Sequence, residues 1–225
     1  MKYFEYTNKG NREENQDYIV HGSLPENSDI FIVADGMGGY SNGAIAAKIV
    51  SDAIVNFVEL NFNHFSPTEL LKEAVLFSND TLLLKRMNKK MGCVIVVMLL
   101  MGGYAYFTWL GDSRLYLFRC GREVYRTKDH SFIEELSKME SFDIQMYQKY
   151  SAIVTKSIMG ECMTNDFPIN KVKVEIGDVF ILCTDGFHKN LDLRYAVNFN
   201  DFAKKTLDGK SMNVPDNLSF IKVEI

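Results

Sequence analysis

The sequence predicts an α+β fold in which antiparallel β-sheets are covered by helices. Two observations lead to this prediction. Short β-rich runs follow one another closely enough to form hairpins, which join antiparallel strands. Two long segments with helical periodicity lie between strands, where each would cover a sheet. A doubly wound parallel fold is disfavoured, because it requires strands and helices to alternate along the chain.

The first half of the chain contains a buried strand and two helices. Residues 30–34 form a short apolar run that ends at Asp35, as a buried strand does. Residues 43–60 carry apolar side chains at helical spacing, which predicts an amphipathic helix with one face on a sheet. The segment Ser66-Pro67-Thr68-Glu69 has the spacing of a capping box, with proline at the first helical position. We expect the helix that begins there to end near Met87.

Hairpins dominate the middle of the chain. Residues 93–101 and 104–110 are β-rich runs joined by Gly102-Gly103, a pair that tolerates the positive φ angles of a tight primed turn. Residues 114–119 and 123–126 form a second pair of runs around a glycine. Both pairs predict antiparallel neighbours.

The remaining segments continue this order to the end of the chain. Ser131-Phe132-Ile133-Glu134 repeats the capping-box spacing and predicts another helix. Residues 171–175, 179–183 and 218–225 are predicted strands. No repeat, low-complexity tract or linker interrupts the sequence, so we expect one domain over residues 1–225.

Composition excludes several classes of protein. The chain has 225 residues, 47% hydrophobic and 24% charged, as in an ordinary globular protein. Its net charge is −4 and its Lys and Arg residues are scattered, which argues against a nucleic-acid partner. No apolar run approaches the ~20 residues that span a bilayer, and the first residues do not form a secretory signal. We therefore expect no membrane partner and a cytoplasmic location.

The cysteines are expected to be buried reduced thiols. The four residues are widely spaced, without a Cys-x-x-Cys pair, and two lie in apolar strand-like runs: Cys93, Cys120, Cys162 and Cys183. This pattern favours free thiols over disulfides or a zinc site.

Four acidic clusters lie where strand-like runs begin or end. They are Asn15-Gln16-Asp17, Asp35-Gly36-Met37-Gly38-Gly39, Thr184-Asp185-Gly186 and Asp216-Asn217. One Asp-Gly after a strand is usually only a turn, but four such clusters can converge if several strand ends meet in one cleft. Oxygen ligands without Cys or His favour hard cations. The sequence therefore predicts a carboxylate metal site.

The order and spacing of these motifs resemble the metal-dependent Ser/Thr protein phosphatases of type 2C, in particular their compact bacterial form. Seven motifs carry the resemblance: Gly10-Asn11-Arg12-Glu13-Glu14-Asn15-Gln16-Asp17, Asp35-Gly36-Met37-Gly38-Gly39, Trp109-Leu110-Gly111-Asp112-Ser113-Arg114, Asp129-His130-Ser131, residues 155–160, Gly177-Asp178 with Leu182-Cys183-Thr184-Asp185-Gly186, and Asp216-Asn217. The resemblance implies a four-layer α-β-β-α sandwich, with two central antiparallel sheets and two metal ions at one end.

The resemblance also implies roles for the acidic residues. Asp35 would bridge both metal ions and so serve catalysis. Asp185 and Asp216 would hold one ion, and the backbone carbonyl of Gly36 would hold the other. Asp17 would act mostly through ordered waters. Any one aspartate taken alone would be interpreted as a turn or capping residue, and it is the set together that indicates the metal site.

Three further residues have two possible roles each. Arg12 would be the catalytic, substrate-binding phosphate clamp, because a guanidinium matches two phosphate oxygens; the alternative is a surface pair with Glu13 or Glu14. Asp112 would bind a third, weaker ion or orient waters around the first two. His130 is expected to support the fold rather than perform acid–base chemistry.

The function implied is hydrolysis of phosphoserine or phosphothreonine in proteins by a hydroxide that bridges two Mn²⁺ or Mg²⁺ ions. Partners would be phosphorylated proteins and a cognate Ser/Thr kinase, and the expected state is a monomer. Three alternatives remain: a pseudophosphatase that binds phosphoproteins, a phosphatase for small phosphate esters, and a structural β-sandwich that binds no divalent ion.

The chain departs from the family pattern in three places. Met91-Gly92-Cys93-Val94 replaces a Gly-Thr-Thr found in many relatives. Met37 stands where some members have a histidine that donates a proton, so the general acid is unidentified. Residues 130–155 are short for the flap that borders the site, and residues 186–216 are also abbreviated. An open, shallow site for phosphorylated loops is the hypothesis that follows.

Overall fold

A computed structural model describes residues 1–37, 42–87, 89–137, 150, 153–200 and 203–225. Gly38 and Gly39 of the second acidic motif lie outside these residues, as does much of the predicted short flap.

In the part of the chain that the structure describes, ten strands form two five-stranded antiparallel sheets. The first sheet has the order β1 (Lys2–Asn8), β10 (Leu218–Glu224), β9 (Val179–Cys183), β6 (Arg114–Arg119) and β7 (Arg122–Arg126). The second sheet has the order β2 (Asp17–Leu24), β3 (Ser28–Gly36), β4 (Cys93–Met101), β5 (Tyr104–Leu110) and β8 (Ile169–Lys173).

Helices cover the outer face of each sheet. Helices α1 (Gly43–Asn61) and α2 (Pro67–Lys85) pack on the second sheet. The short α3 (Phe132–Leu136) follows β7. Three helices follow β9 and pack on the first sheet: α4 (Asp185–His188), α5 (Arg194–Val197) and α6 (Lys204–Ser211). The predicted α-β-β-α sandwich is therefore confirmed.

The apolar strands β3 and β4 are buried on both faces. Along β3, Ile30 and Ile32 join the core under α1 and α2, whereas Phe31 and Val33 join the core between the sheets. All four side chains are fully buried. This double burial explains why the strand is a continuous apolar run rather than an alternating one.

The predicted starts and turns of the main elements are confirmed. Ser66 Oγ accepts a hydrogen bond from the Glu69 backbone N–H at 3.4 Å, and the Glu69 carboxylate accepts one from the Ser66 backbone N–H at 3.2 Å. The turn between β4 and β5 has φ angles of +59° at Gly102 and +78° at Gly103. A side chain at either position would be strained, so glycine fixes this turn.

Two predictions need correction. Strand β8 begins and ends two residues before the predicted 171–175, because its register is set by pairing with β5. Cys120 and Cys162 are exposed, although Cys93 and Cys183 are buried as expected; all four are free thiols. Cys120 lies in the turn between β6 and β7, where the chain leaves the core.

The sequence neighbours β8 and β9 lie in different sheets, so the chain crosses the sandwich between them. Arg119 stabilises this crossover connection, because its guanidinium donates two hydrogen bonds of 2.8 Å to the Asp178 carboxylate. Among the helices of the described residues, none is long and apolar enough to cross a membrane.

Candidate functional site

The predicted acidic residues meet at one end of the sandwich. Asp17 begins β2 and lies opposite Asp35 in β3. Asp112 lies in the turn between β5 and β6, Asp185 begins α4 directly after β9, and Asp216 precedes β10. All but Asp17 line one cleft of about 690 Å³, and Asp17 is buried beside Asp35. Five carboxylates from distant parts of the sequence therefore share one site.

Gly36 and Gly43 make the close packing behind this cleft possible. A Cβ atom on Gly36 would lie 2.3 Å from the carbonyl carbon of Gly43 and 2.8 Å from the carbonyl oxygen of Gln16. The Gly36 backbone N–H donates to that same Gln16 carbonyl at 3.1 Å. A larger residue at position 36 would push α1 and the loop before β2 apart.

Asn217 holds the loop that carries Arg12. Its side-chain oxygen accepts a hydrogen bond from the Gln16 backbone N–H at 2.8 Å, and its side-chain nitrogen donates to the carbonyl oxygens of Lys9 and Glu14, each at 2.9 Å. Sequence reasoning placed Asn217 in a motif but gave it no role. The sequence feature that could have indicated a role for Asn217 is its position directly after Asp216.

The buried carboxylates carry an excess of negative charge. Burial, together with the charges of Asp185 and Asp216, raises the pKa of Asp17 to about 7. Burial and the neighbouring Asp17 and Asp185 raise the pKa of Asp35 well above its usual value, and a hydrogen bond between the Asp35 and Asp185 carboxyl groups adds to this rise. Burial and Asp185 also raise the pKa of Asp112. A positive ion in the cleft would stabilise the ionised carboxylates and lower their pKa values.

Asp17 has one unsatisfied oxygen. Its Oδ2 accepts a hydrogen bond from the Thr184 hydroxyl at 3.0 Å. Its Oδ1 is buried and has no hydrogen-bond partner among the described residues. Such an oxygen is costly to bury unless water or a cation completes its bonding.

Two side-chain cations neutralise part of the site. Arg12 binds both oxygens of Asp216, with Nε at 3.0 Å and Nη2 at 3.1 Å. This pair differs from the predicted alternative, a surface pair with Glu13 or Glu14, and phosphate binding by Arg12 stays a prediction. Lys189 Nζ lies 2.9 Å from Asp112 Oδ2 and 2.9 Å from Asp185 Oδ2. The lysine opposes the effect of burial on Asp185 and holds the pKa of that carboxyl below its usual value.

Sequence reasoning missed Lys189. Burial alone would lower the pKa of its ammonium, but Asp185 and Asp112 raise that pKa above the ordinary value. The sequence feature that could have indicated this role is that Lys189 follows Asp185 by four residues, a spacing that places both side chains on one face of a helix.

The site suits a hard divalent cation. Among the described residues, no three acidic, His or Cys side chains already surround one point as a ligand set, and three of the carboxylates are paired with Arg12 or Lys189. Asp17 Oδ1 lacks a partner there, and burial beside other carboxylates raises the pKa of Asp17 and of Asp35, so a further cation in the cleft would be favourable. Oxygen donors of this kind match Mn²⁺ and Mg²⁺.

His130 lies behind the cleft and packs on an aromatic ring. It stacks on Trp109 with the ring centres 5.5 Å apart and the planes 6° apart. Burial lowers its pKa to about 4, so the ring is neutral at pH 7. Both observations support the structural reading of this residue.

A half-buried ion pair supports the turn that carries Asp112. Arg114 binds both oxygens of Asp129, at 2.7 and 2.8 Å. On the other side, His188 Nε2 is 2.9 Å from the Asp112 carbonyl oxygen, and burial lowers the pKa of His188 to about 4. Sequence reasoning did not assign roles to Arg114 or His188.

Comparisons with known proteins agree with this geometry. Residues 7–217 match the family model of protein phosphatase 2C. The protein phosphatase PhpP of Streptococcus pneumoniae is 30% identical over 190 residues, which are 78% of this chain and 74% of PhpP.

Solved structures share the fold. The serine/threonine phosphatase of S. agalactiae superposes with a TM-score of 0.83 at 24% identity, over 100% of this chain and 99% of the other. The Mycobacterium tuberculosis phosphatase PstP/Ppp gives 0.82 at 21% identity, over 100% and 99%. A structure of the PstP catalytic domain in complex with two manganese ions gives 0.79 at 21% identity, over 98% and 96%.

Proposed function

This chain belongs to the protein phosphatase 2C family, and we propose that it is a metal-dependent phosphatase that hydrolyses phosphoserine and phosphothreonine in proteins. The observation that carries the proposal is the meeting of five aspartates and Arg12 at one end of the sandwich. Carboxylates would hold cations there, and the guanidinium would receive an anionic substrate.

The residues that would hold two Mn²⁺ or Mg²⁺ ions are Asp35, Asp185, Asp216 and the carbonyl group of Gly36, with Asp17 acting through water. Bound ions would supply Lewis acidity, an activated water and charge neutralisation for the phosphoryl group. Asp35 is suited to the central position because it contacts Asp185 and lies opposite Asp17. Asp17 would then orient water through its free Oδ1.

Arg12 would bind and orient the phosphoryl group. Its guanidinium already makes two parallel hydrogen bonds to a carboxylate, which is the geometry that two phosphate oxygens require. The side chain is 52% exposed, so a substrate can reach it from solvent. The loop bonds made by Asn217 hold the Arg12 backbone close to Asp216.

The leaving alkoxide needs a proton, and the histidines of the site are not suited to give it. Burial lowers the pKa of His130 and of His188 to about 4, so both are neutral at pH 7. Met37 lines the cleft but cannot donate a proton. Protonation would therefore come from water in the open cleft.

The proposal extends to partners and location. Substrates would be exposed phosphorylated segments of proteins, a Ser/Thr kinase would act on the same proteins, and the enzyme would be a cytoplasmic monomer. One domain over residues 1–225 would carry the activity. The proposal also includes an open, shallow active site, which the short flap segment in the sequence indicates.

The test is hydrolysis of a phosphothreonine peptide by the purified protein with Mn²⁺, with Mg²⁺ and with a chelator. We expect turnover that depends on the metal and that falls on the order of 100-fold or more in Asp35→Asn, because a central charged ligand is lost. Asp29→Asn, at the opposite end of β3, is the matched control and should retain activity. Turnover in the chelator equal to that in Mn²⁺ would contradict the proposal.

A further inference from the structure

Lys189 occupies the space between two carboxylates of the site. Its Nζ lies 2.9 Å from Asp112 Oδ2 and 2.9 Å from Asp185 Oδ2. We propose that the Lys189 ammonium is a built-in cation that holds Asp112 and Asp185 together and excludes a third divalent ion from the space between them. The inference rests on the proposed function, because it concerns how many ions the same cleft binds.

Two structural elements fix this arrangement. Lys189 follows Asp185 by four residues and ends α4, so the acidic residue lies N-terminal to the basic one, which is the favourable order on a helix. Asp112 lies against the same helix, because its carbonyl oxygen is 2.9 Å from His188 Nε2. The Asp112 side chain is only 9% exposed. Asp112 and Asp185 are therefore positioned by the fold, and Lys189, whose side chain is 38% exposed, reaches both carboxylates from the edge of the cleft.

A third divalent ion and the ammonium cannot share this space. A hard cation would lie ~2.0–2.6 Å from carboxylate oxygens of Asp112 and Asp185. The Lys189 nitrogen is already 2.9 Å from one oxygen of each. The ion and the ammonium would then be in contact, and like charges at that distance repel strongly where water is partly excluded. An ion would have to displace the lysine from both carboxylates at once.

Arg12 differs from Lys189 in this respect. Arg12 is paired with one carboxylate, Asp216, and the two side chains are 52% and 38% exposed. Its charge is screened by solvent, and the pair opens at little cost. Lys189 is paired with two carboxylates, one of them almost fully buried. An ion that needs Asp216 can therefore enter the cleft, whereas an ion that needs both Asp112 and Asp185 is excluded.

The experiment counts the Mn²⁺ ions bound per chain, by calorimetry and by electron paramagnetic resonance, without substrate. We expect two ions for the wild type and for Lys189→Arg, which keeps the charge. We expect three for Lys189→Met, and a return to two when Asp112→Asn is added to it. Lys48→Met is the matched control, because Lys48 forms the same four-residue pair with Asp52 at 3.0 Å but lies outside the cleft. It should bind two.

The outcomes separate this inference from the proposed function. Three ions on the wild type, or two on a folded Lys189→Met variant, would overturn the inference while metal-dependent peptide hydrolysis continues to support the function. Where Lys189→Met fails to fold by circular dichroism, Lys189→Gln takes its place and should also bind three ions; a count of two on that variant would overturn the inference. No Mn²⁺ on the wild type would overturn the proposed function and the inference together.

Discussion

Arg12 has two tasks that compete for one guanidinium. In the structure it binds both oxygens of Asp216, and in the proposed function it binds two oxygens of a phosphoryl group. Because the pair with Asp216 is largely exposed, it contributes about 0–1 kcal/mol and opens easily. In the proposed function, an ion that binds Asp216 would free Arg12, and metal binding would then prepare substrate binding.

Replacing Arg12 separates the two tasks. In Arg12→Ala we expect kcat/KM for a phosphothreonine peptide to fall on the order of 100-fold, because an electrostatic partner of the phosphoryl group is lost. The same variant should bind Mn²⁺ as tightly as the wild type or up to about fivefold more tightly, because Asp216 is released. Arg122→Ala, an exposed arginine of β7, is the control. A loss of Mn²⁺ affinity in Arg12→Ala would contradict this account.

Asp17 makes the stability of the metal-free protein depend on pH. Folding raises its pKa from 3.8 to about 7, so the folded state holds a proton that the unfolded state releases. This contribution to the free energy of unfolding is fully present below about pH 4 and is lost as the pH rises through about 7. Denaturation by urea in the presence of a chelator should therefore show falling stability over this window. The fall should be smaller in Asp17→Asn, and an equal fall in both proteins would contradict the assignment.

The roles of site residues could be predicted where a sequence motif contains them. They could not be predicted where a tertiary contact determines the role. The aspartates and Arg12 stand in recognisable strings, and the structure brings them together. The partner of Arg12 was not predictable, because Asp216 is distant in sequence. Lys189 and Asn217 act through contacts with Asp112 and with the loop before β2, which only the folded chain reveals.

The element α2 depends on its cap at the N-terminus. Ser66 and Glu69 exchange hydrogen bonds there, and the helix packs on the second sheet without lining the cleft. Ser66→Ala should lower the free energy of unfolding by about 1 kcal/mol, because a backbone N–H loses its partner. The peptide kcat/KM should not change. Thr81→Ala, on an exposed part of the same helix, should change stability by less than about 0.5 kcal/mol. Equal losses in both variants would contradict the capping role.

Elements with strong local signals match their predicted bounds closely. The β4–β5 hairpin has the predicted residues, because its length and its glycine turn fix the register without help from other parts. Strand β8 is displaced because its ends depend on pairing with β5. The strands β8 and β9 lie in different sheets, and nothing in their local sequences indicates this, since each has the sequence pattern of an ordinary strand.

The whole molecule brings five aspartates to one edge of a two-sheet sandwich. Asp17 and Asp35 come from the second sheet, and Asp185 and Asp216 flank strands of the first. The core between the sheets fixes the distance between these two pairs. The site therefore depends on the packing of the sandwich as a whole, and in the proposed function this edge forms one two-metal centre.

Anomalous diffraction at the manganese edge, from crystals grown with Mn²⁺, would locate the bound ions. We expect two peaks about 3.5–4 Å apart beside Asp35, with ligands from Asp185, Asp216 and the Gly36 carbonyl, and with Arg12 released from Asp216. We expect no peak between Asp112 and Asp185. A cleft without manganese, in crystals that bind it elsewhere or not at all, would disprove the two-metal centre.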